Sequence, residues 1–511
     1  MACSSCCLTN LLVKTALYGF LMSLLNDIYS FIFDEEQSMR GRKRPSFTSE
    51  TLITGTFPDK ANAIHPIINV SMSFSQLPTK SELNKNFTKL LDIERFRNAV
   101  EKNKYSGKCY FVERSELIDL DSLIIWKTVK NTQDMHDSID KECSNELDGS
   151  DGLPVWRICV FENKDKNCDS CIVFRVHHVV GDGMSLVAAM DKVFTSKDGG
   201  SIMSDLALLK GKNGNETPKS STTKANKKSL NIFGVILSAF TSLFHVLLLG
   251  MTAYDTHTAG TIPTGADLTM IKENRKTVLY PPFKLNFIKS IKNAAGVTVN
   301  DVLVSAVTGS LRRYHELMNE LSDSSKNTSE LGDNPLMRVL MPVALPRKWD
   351  VESEFMRNYF VMISVNLPIA PTTVKERLIQ CSKTMWEMKN SMMIIVQSFI
   401  QNYVLANLPQ FVTRQLVFDI FSRHSLVMSN VPGPSAPVYL CGKKLNNIQV
   451  IFPNLIHQCL LISYNGLIFM NKSVDPNVVT NNDLFIDCFF KELVDLAKEY
   501  NISCEKKDIF M

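Results

Sequence analysis

The sequence predicts a mixed α/β chain, built as more than one domain or as one large two-lobed unit. Three observations carry that reading. At 511 residues the chain exceeds what a single hydrophobic core usually organises. Short runs rich in β-formers, such as Cys171-Ile172-Val173-Phe174-Arg175-Val176, alternate with stretches of helical period. The hydrophobic share of 45% is that of an ordinary globular protein.

The elements follow in chain order. Leu11 to Phe33 is apolar, with Leu17, Leu21, Leu24, Ile28 and Phe31 on one helical face and Ser23, Asn26, Asp27 and Ser30 on another. With Lys14 and Asp27 inside it, the segment reads as an interfacial helix or a poor anchor rather than a clean span, and no small-residue cleavage site stands out after it. The basic run Arg40, Arg42, Lys43, Arg44 would hold that flank on the cytosolic side. Cys3, Cys6 and Cys7 crowd the N-terminus, where they are S-palmitoylation candidates or incidental thiols. The 13 cysteines form no regular framework and read as reduced thiols.

A mixed α/β region spans about Thr51 to Val193. In it, Phe87 to Val100 reads as a helix and Val155 to Phe161 as a strand. Asn163 to Ser170 is a polar turn, and Cys171 to Val176 is the antiparallel partner. A helix-like run follows from Met184 to Phe194, with Asp182 placed to cap it. Lys210 to Lys228 is a polar, lysine-rich linker. Asn231 to Met251 has no charged residue and could just cross a hydrocarbon layer of ~30 Å, or form a core helix, since Asn231, Ser238, Thr241, Ser242 and His245 interrupt it.

The second half begins near Thr277. Phe283 to Ala295 has helical period and breaks at Gly296. Thr298 and Asp301 match a capping box ahead of a helix from Val302 to Leu317. Leu336–Val343 and Tyr359–Leu367 read as buried strands, Val374–Met388 as a helix, and Leu426–Ser429 as a strand end. Asn430-Val431-Pro432-Gly433-Pro434 reads as a rigid turn. Gln449–Phe452, Leu460–Tyr464 and Leu467–Asn471 look like late strands, closed by a helix from Leu484 to Glu499. The divisions are therefore 1–50, 51–205, 206–275 and 276–511: an N-terminal apolar helix with its basic flank, a first lobe, a linker with a membrane-associated segment, and a second lobe.

The chemistry concentrates at His177-His178-Val179-Val180-Gly181-Asp182-Gly183. An apolar strand, a Gly-rich turn and a helix present a side chain at a strand end, where a substrate can reach it. Histidine can act as a neutral base near pH 7 without a large shift. Adjacent strand residues face opposite ways, so one histidine faces a substrate channel and the other packs behind it. Asp182 reads as an organiser that fixes the turn and pairs with a distant Arg, and Gly181 and Gly183 leave room for close approach.

Other chemistries fit less well. His177 and His178 cannot easily share a metal, and Cys168-x-x-Cys171 lacks a second pair with ligand spacing. There is no Gly-x-Ser-x-Gly elbow, no Walker loop and no dinucleotide fingerprint. A net charge of +4 over this length carries no nucleic-acid signal.

Pro154-Val155-Trp156, the His177–Gly183 motif, Val299-Asn300-Asp301-Val302 and Ser429-Asn430-Val431-Pro432-Gly433-Pro434, in this order, resemble the wax ester synthase/diacylglycerol acyltransferase family. The likeness runs from about Ala61 to the C-terminus and looks most like the plant-type and related eukaryotic members. Val155 departs from it, since the family pattern usually has leucine there. The resemblance implies a two-lobed α/β fold with mixed sheets, similar to chloramphenicol acetyltransferase and other CoA-dependent acyltransferases, with a tunnel between the lobes. It implies His178 as general base, in a catalytic set with His177 and Asp182. Gly181, Gly183, Asn300 and Asp301 would contact substrate, although the capping box explains Asp301 without chemistry. No metal is expected, and no cofactor beyond acyl-CoA as co-substrate.

The implied partners are a long-chain acyl-CoA, a hydrophobic alcohol acceptor and a membrane surface, with no nucleic acid. The expected location is the endoplasmic reticulum or a lipid-droplet surface, with the lobes facing the cytosol. Because both lobes would build one site, Asn231–Met251 is expected to lie on or re-enter the membrane rather than divide them. Two other functions stay open: an acyltransferase of the same superfamily acting on another alcohol or amine, and a non-catalytic lipid-binding protein on this fold.

Overall fold

Two mixed sheets carry the architecture, and the second half of the chain contributes to both. A computed structural model describes residues 42–43, 47–50, 52, 66–102, 109–147, 149, 151–202, 241, 252–265, 275–321, 331, 335–347, 356–405, 408 and 410–510. The Leu11–Phe33 helix, Cys3, Cys6, Cys7 and the Lys210–Lys228 linker lie outside these residues, as does Asn231–Met251 apart from Thr241.

The first sheet has five strands, in the order Asn447–Ile451, Ile67–Phe74, Ser170–His177, Trp156–Asn163, Ile124–Val129. Only its last pair is parallel. The Trp156–Asn163 and Ser170–His177 strands form the expected antiparallel hairpin. Nearly every residue of both is buried, which is why they read as continuous apolar runs rather than alternating ones. The one charge between Cys171 and Val176, Arg175, is matched by Glu142 at 2.6 Å and by Asn69.

The second sheet runs Phe283–Lys284, Leu467–Val474, Gln458–Tyr464, Leu426–Pro432, Arg338–Ala344, Phe360–Asn366, with Lys276–Leu279 also pairing Leu467–Val474. The helices Val299–Leu321, Val374–Asn390 and Asn482–Glu499 pack on it around one large core. Val299–Leu321 is buried over most of its length, so Gly309 is needed: a Cβ there would sit 2.1 Å from Glu492. Glu492 is itself held by Arg313 and Arg377.

The two halves interlock. Asn447–Ile451, from the second half, becomes the edge strand of the first sheet, with Val450 opposite Val70. Tyr439–Leu440 pairs with Phe194–Thr195 in the same way. Among the described residues no single helix is long and apolar enough to cross a membrane; Leu285–Ala295 and Val299–Leu321 pass such a test only together, and they meet at 99°.

Several boundaries differ from the sequence reading. Phe87–Val100 is not one helix: a helix at Lys80–Phe87 gives way to a 3₁₀ turn at Thr88–Asp92, a short helix at Glu94–Arg97 and a strand at Asn98–Lys102. Phe87, Leu90, Ile93 and Phe96 recur every three residues and are all buried, a period that 3₁₀ geometry serves. The helix after Asp182 spans Gly183–Met190, and Phe194 belongs to a strand instead. Asn430, Val431 and Pro432 are not a turn but the end of a parallel strand paired with Leu461, Ile462 and Ser463. The chain leaves the sheet at Gly433, where a Cβ would meet the Ser463 carbonyl oxygen at 2.3 Å.

Candidate active site

The histidine strand ends at His177, and His178 is the first residue past it. Two backbone bonds fix the exit: His177 N–H donates to Val155 O at 2.9 Å, and His178 N–H donates to Pro66 O at 2.7 Å. The two rings then separate. His177 is buried, and its Nδ1 accepts from Val179 N–H at 3.1 Å, so it closes the turn and takes no part in the cavity wall. His178 stands in that wall, packed against the rings of Phe360 and Phe452 at 5.7 and 5.6 Å.

Asn358, from the second half, sets the tautomer of His178. Its Nδ2 donates to His178 O at 2.5 Å and to Ser49 Oγ at 3.0 Å. Its Oδ1 is therefore the atom 2.8 Å from His178 Nδ1, and an amide oxygen can only accept. The proton sits on Nδ1, and Nε2 keeps its lone pair. Burial pulls the imidazole below its ordinary pKa, with the Asp182 charge and the Asn358 bond opposing this more weakly. The ring is thus neutral and basic at neutral pH.

Asp182 caps the following helix through Ser185 N–H at 2.9 Å. It also takes a two-pronged bond from Arg347, at 2.5 and 3.1 Å, and bonds from Ser185 Oγ and Tyr359 N–H. The Arg347 side chain is wholly buried. With both carboxylate oxygens engaged elsewhere, Asp182 makes no hydrogen bond to His178 among the described residues. It ties the motif turn to the second lobe.

The glycines of the motif differ. Gly181 is off the cavity wall and is required by packing, since a Cβ would meet Ser185 Cβ at 2.7 Å. Gly183 lines the cavity, and a Cβ there meets only Val431 at an ordinary 3.7 Å.

Asn300, in the first turn of Val299–Leu321, also lines the cavity. Its Oδ1 accepts from Asn430 Nδ2 at 2.7 Å, which leaves its own Nδ2 as a donor. Asp301 is a correction to the substrate-contact set. It is buried off the wall, accepting from Thr298 N–H at 2.9 Å and from Ser382 Oγ at 3.2 Å, while its own N–H donates to Thr298 Oγ1. One step along a helix turns a side chain by about 100°, so neighbours in sequence face different ways.

The cavity measures about 1040 Å³ and runs between the halves. That is the upper end of the ~300–1,000 Å³ usual for ligand pockets. Leu340, Met362, Leu405, Phe421 and Leu455 make much of its wall apolar, while Asn286, Lys289 and Asn300 stand with the helix Leu285–Ala295 and the start of the next. Among the described residues no group of His, Cys, Asp or Glu is placed to hold a metal. The arrangement can remove a proton from a hydroxyl held beside a long apolar group.

The catalytic domain of the wax ester synthase/diacylglycerol acyltransferase family matches residues 130–303, and the C-terminal domain of that family matches residues 356–497. A wax ester synthase/diacylglycerol acyltransferase of Arabidopsis thaliana, numbered 5, is 21% identical over 356 residues, covering 64% of this chain and 68% of that protein. The solved wax ester synthase/diacylglycerol acyltransferase from Marinobacter aquaeolei VT8 superposes with a TM-score of 0.56 at 17% identity, over 90% of this chain and all of that one. The first condensation domain of the calcium-dependent antibiotic synthetase superposes at 0.53 with 11% identity, over 90% of this chain and 96% of that one. The two superpositions establish the expected two-lobed fold. The chain belongs to the wax ester synthase/diacylglycerol acyltransferase family and is an acyltransferase.

Proposed function

We propose that this family member moves a long-chain acyl group from acyl-CoA to a fatty alcohol, giving a wax ester, or to diacylglycerol, giving triacylglycerol. One observation carries the reading: a neutral His178, its Nδ1 bonded to Asn358, at the wall of a large and mostly apolar cavity.

The acceptor hydroxyl gives its proton to Nε2 of His178 as its oxygen bonds to the thioester carbonyl carbon. A base held in reach typically contributes ~10²–10⁴-fold. The carbonyl oxygen becomes an oxyanion, for which Asn300 Nδ2 is one donor that the wall offers. When the tetrahedral adduct collapses, the C–S bond breaks and the CoA thiolate takes the proton back from the imidazolium. No acyl-enzyme forms. The Asn358 oxygen faces the N–H that carries charge in the transition state, and Asp182 with Arg347 holds the turn in register.

Both substrates carry long apolar chains, which supports work at a membrane surface, proposed as that of the endoplasmic reticulum or a lipid droplet with the lobes on the cytosolic side. The test is to supply labelled palmitoyl-CoA with hexadecanol or with diacylglycerol and to identify the neutral lipid formed, with His178→Ala alongside. Label entering neither a wax ester nor triacylglycerol, or full transfer by the variant, removes this reading. Fractionation of tagged protein tests the location.

A further inference from the structure

From Ser391 to Thr413 the chain contains no Asp, Glu, Lys, Arg or His, and Lys389 and Arg414 bracket the run. Within it lie the helix Met393–Phe399, a π turn at Ile400–Val404 and the start of the helix Gln410–Ser422. The first helix carries apolar residues on two sides: Met393 and Ile394 pack against the core, and Ile400 just beyond it is buried. Gln397 and Gln401 point inward to the cavity, where Gln401 Nε2 donates to Thr48 Oγ1 at 2.7 Å and to Phe360 O. Ile395 and Phe399 point outward, 61% and 57% exposed, and Val404 is exposed as well. A helix that borders water keeps its apolar face inside. The preceding helix, Val374–Asn390, adds exposed Ile379 and Trp386, one face apart by two turns.

We propose that this segment is a membrane-docking surface: Ile395, Phe399 and Val404 insert into the lipid, and Lys389 and Arg414 meet its headgroups. Three features select lipid over a protein partner. The run is uncharged throughout, so nothing in it specifies a partner by charge. The charge nearest each end is basic, as an anionic lipid surface favours: Arg414 on one side and on the other Lys389, an exposed residue that also lines the cavity and follows Glu387 by two positions. The inner side of the same segment is the cavity wall, so the lipid would lie one helix thickness from the site. That last point rests on the proposed acyl transfer, while the surface argument does not. The segment docks and does not cross, since no described helix is long and apolar enough to span.

The test uses the full chain and vesicles of phosphatidylcholine with a minor share of phosphatidylserine. Hydrogen exchange over 391–413 is expected to slow on adding vesicles, and Ile395→Asp with Phe399→Asp to abolish that protection. Neither residue lines the cavity, so turnover of detergent-dispersed substrate should match the parent. Turnover of vesicle-borne acceptor should fall roughly tenfold or more, as two large apolar side chains are withdrawn from lipid. Unchanged exchange over 391–413, self-association through this face in place of vesicle protection, or an unchanged ratio of the two turnovers overturns the proposal. Protection without acyl transfer leaves docking standing and removes the proposed function; transfer without protection does the reverse.

Discussion

Asn358 makes a sharper test of the site than the histidine it holds. Replacing it with alanine removes the acceptor on His178 Nδ1 and two donors, to His178 O and Ser49 Oγ. A hydrogen bond to a charged group contributes about 1.5–3 kcal/mol. If that bond strengthens as the imidazolium forms, its loss lowers kcat by roughly 10- to 150-fold, at about 1.4 kcal/mol per tenfold. The pH profile separates this from simple misfolding. Activity needs the neutral ring, so it is lost as pH falls through the His178 pKa, which burial holds below the ordinary histidine value. The Asn358 bond raises that pKa, so Asn358→Ala should move the acid limb to lower pH. Asn358→Asp places a carboxylate on Nδ1 and should move the limb to higher pH. The assay is CoA thiol release against pH, normalised to folded protein by thermal melting. Opposite displacements with reduced kcat fit the tautomer argument. A lowered Tm with an unmoved acid limb in both variants, or parental kcat in Asn358→Ala, refutes it.

Other outcomes follow from the same geometry. His178→Ala should lose ~10²–10⁴-fold in turnover with an unchanged melting temperature, read by thiol release and circular dichroism. Asp182→Asn strips the charge partner from a wholly buried Arg347 and should destabilise the protein by about 3–5 kcal/mol in urea titration. Gly181→Ala should lower Tm more than Gly183→Ala, because only the former forces a side chain into Ser185 Cβ. Asn300→Ala should lower kcat with little change in acyl-CoA affinity, since its amide meets charge that develops only in the adduct.

The parts of the site that were legible in the sequence are the local ones. Strand, turn and capped helix around His178 follow from an apolar run, two glycines and an aspartate within a dozen residues, and the structure has them in that order. The capping box at Thr298 and Asp301 is local in the same way. The family motif pairs Asp301 with Asn300, but helix rotation turns the two apart and the capping box accounts for Asp301. Arg347 and Asn358 come from far along the chain, and nothing in their own surroundings marks them. An arginine partner for Asp182 could be anticipated from charge alone, but which arginine could not. The motif at Asn430–Pro434 looked like a turn because Pro and Gly usually punctuate; here Val431 and Pro432 finish a parallel strand first. The edge strand Asn447–Ile451 was visible as a strand, but its place in the first sheet is a pairing across most of the chain, set by packing.

That crossing has a consequence for membrane topology. The first half reaches Ile202, buried in the first core, and the second half is in place by Thr252 and Asp255, where Asp255 pairs with buried Arg338. The two points belong to one folded body. Asn447–Ile451 is hydrogen-bonded to Ile67–Phe74, and Arg347 is bonded to Asp182. Strands bonded in one sheet cannot lie on opposite faces of a bilayer. The two ends of the stretch 203–251 therefore belong on the same side of any bilayer. Lys210–Lys228 is too polar to supply the second crossing that a spanning Asn231–Met251 would require. Asn231–Met251 is thus expected to lie on the membrane or re-enter it, with Lys228 and Lys272 on the same side. Protease protection in sealed vesicles, or glycosylation acceptor sites engineered beside each lysine, reads this directly. A result placing the two on opposite sides would mean that the interlocked lobes do not form in the membrane-bound protein.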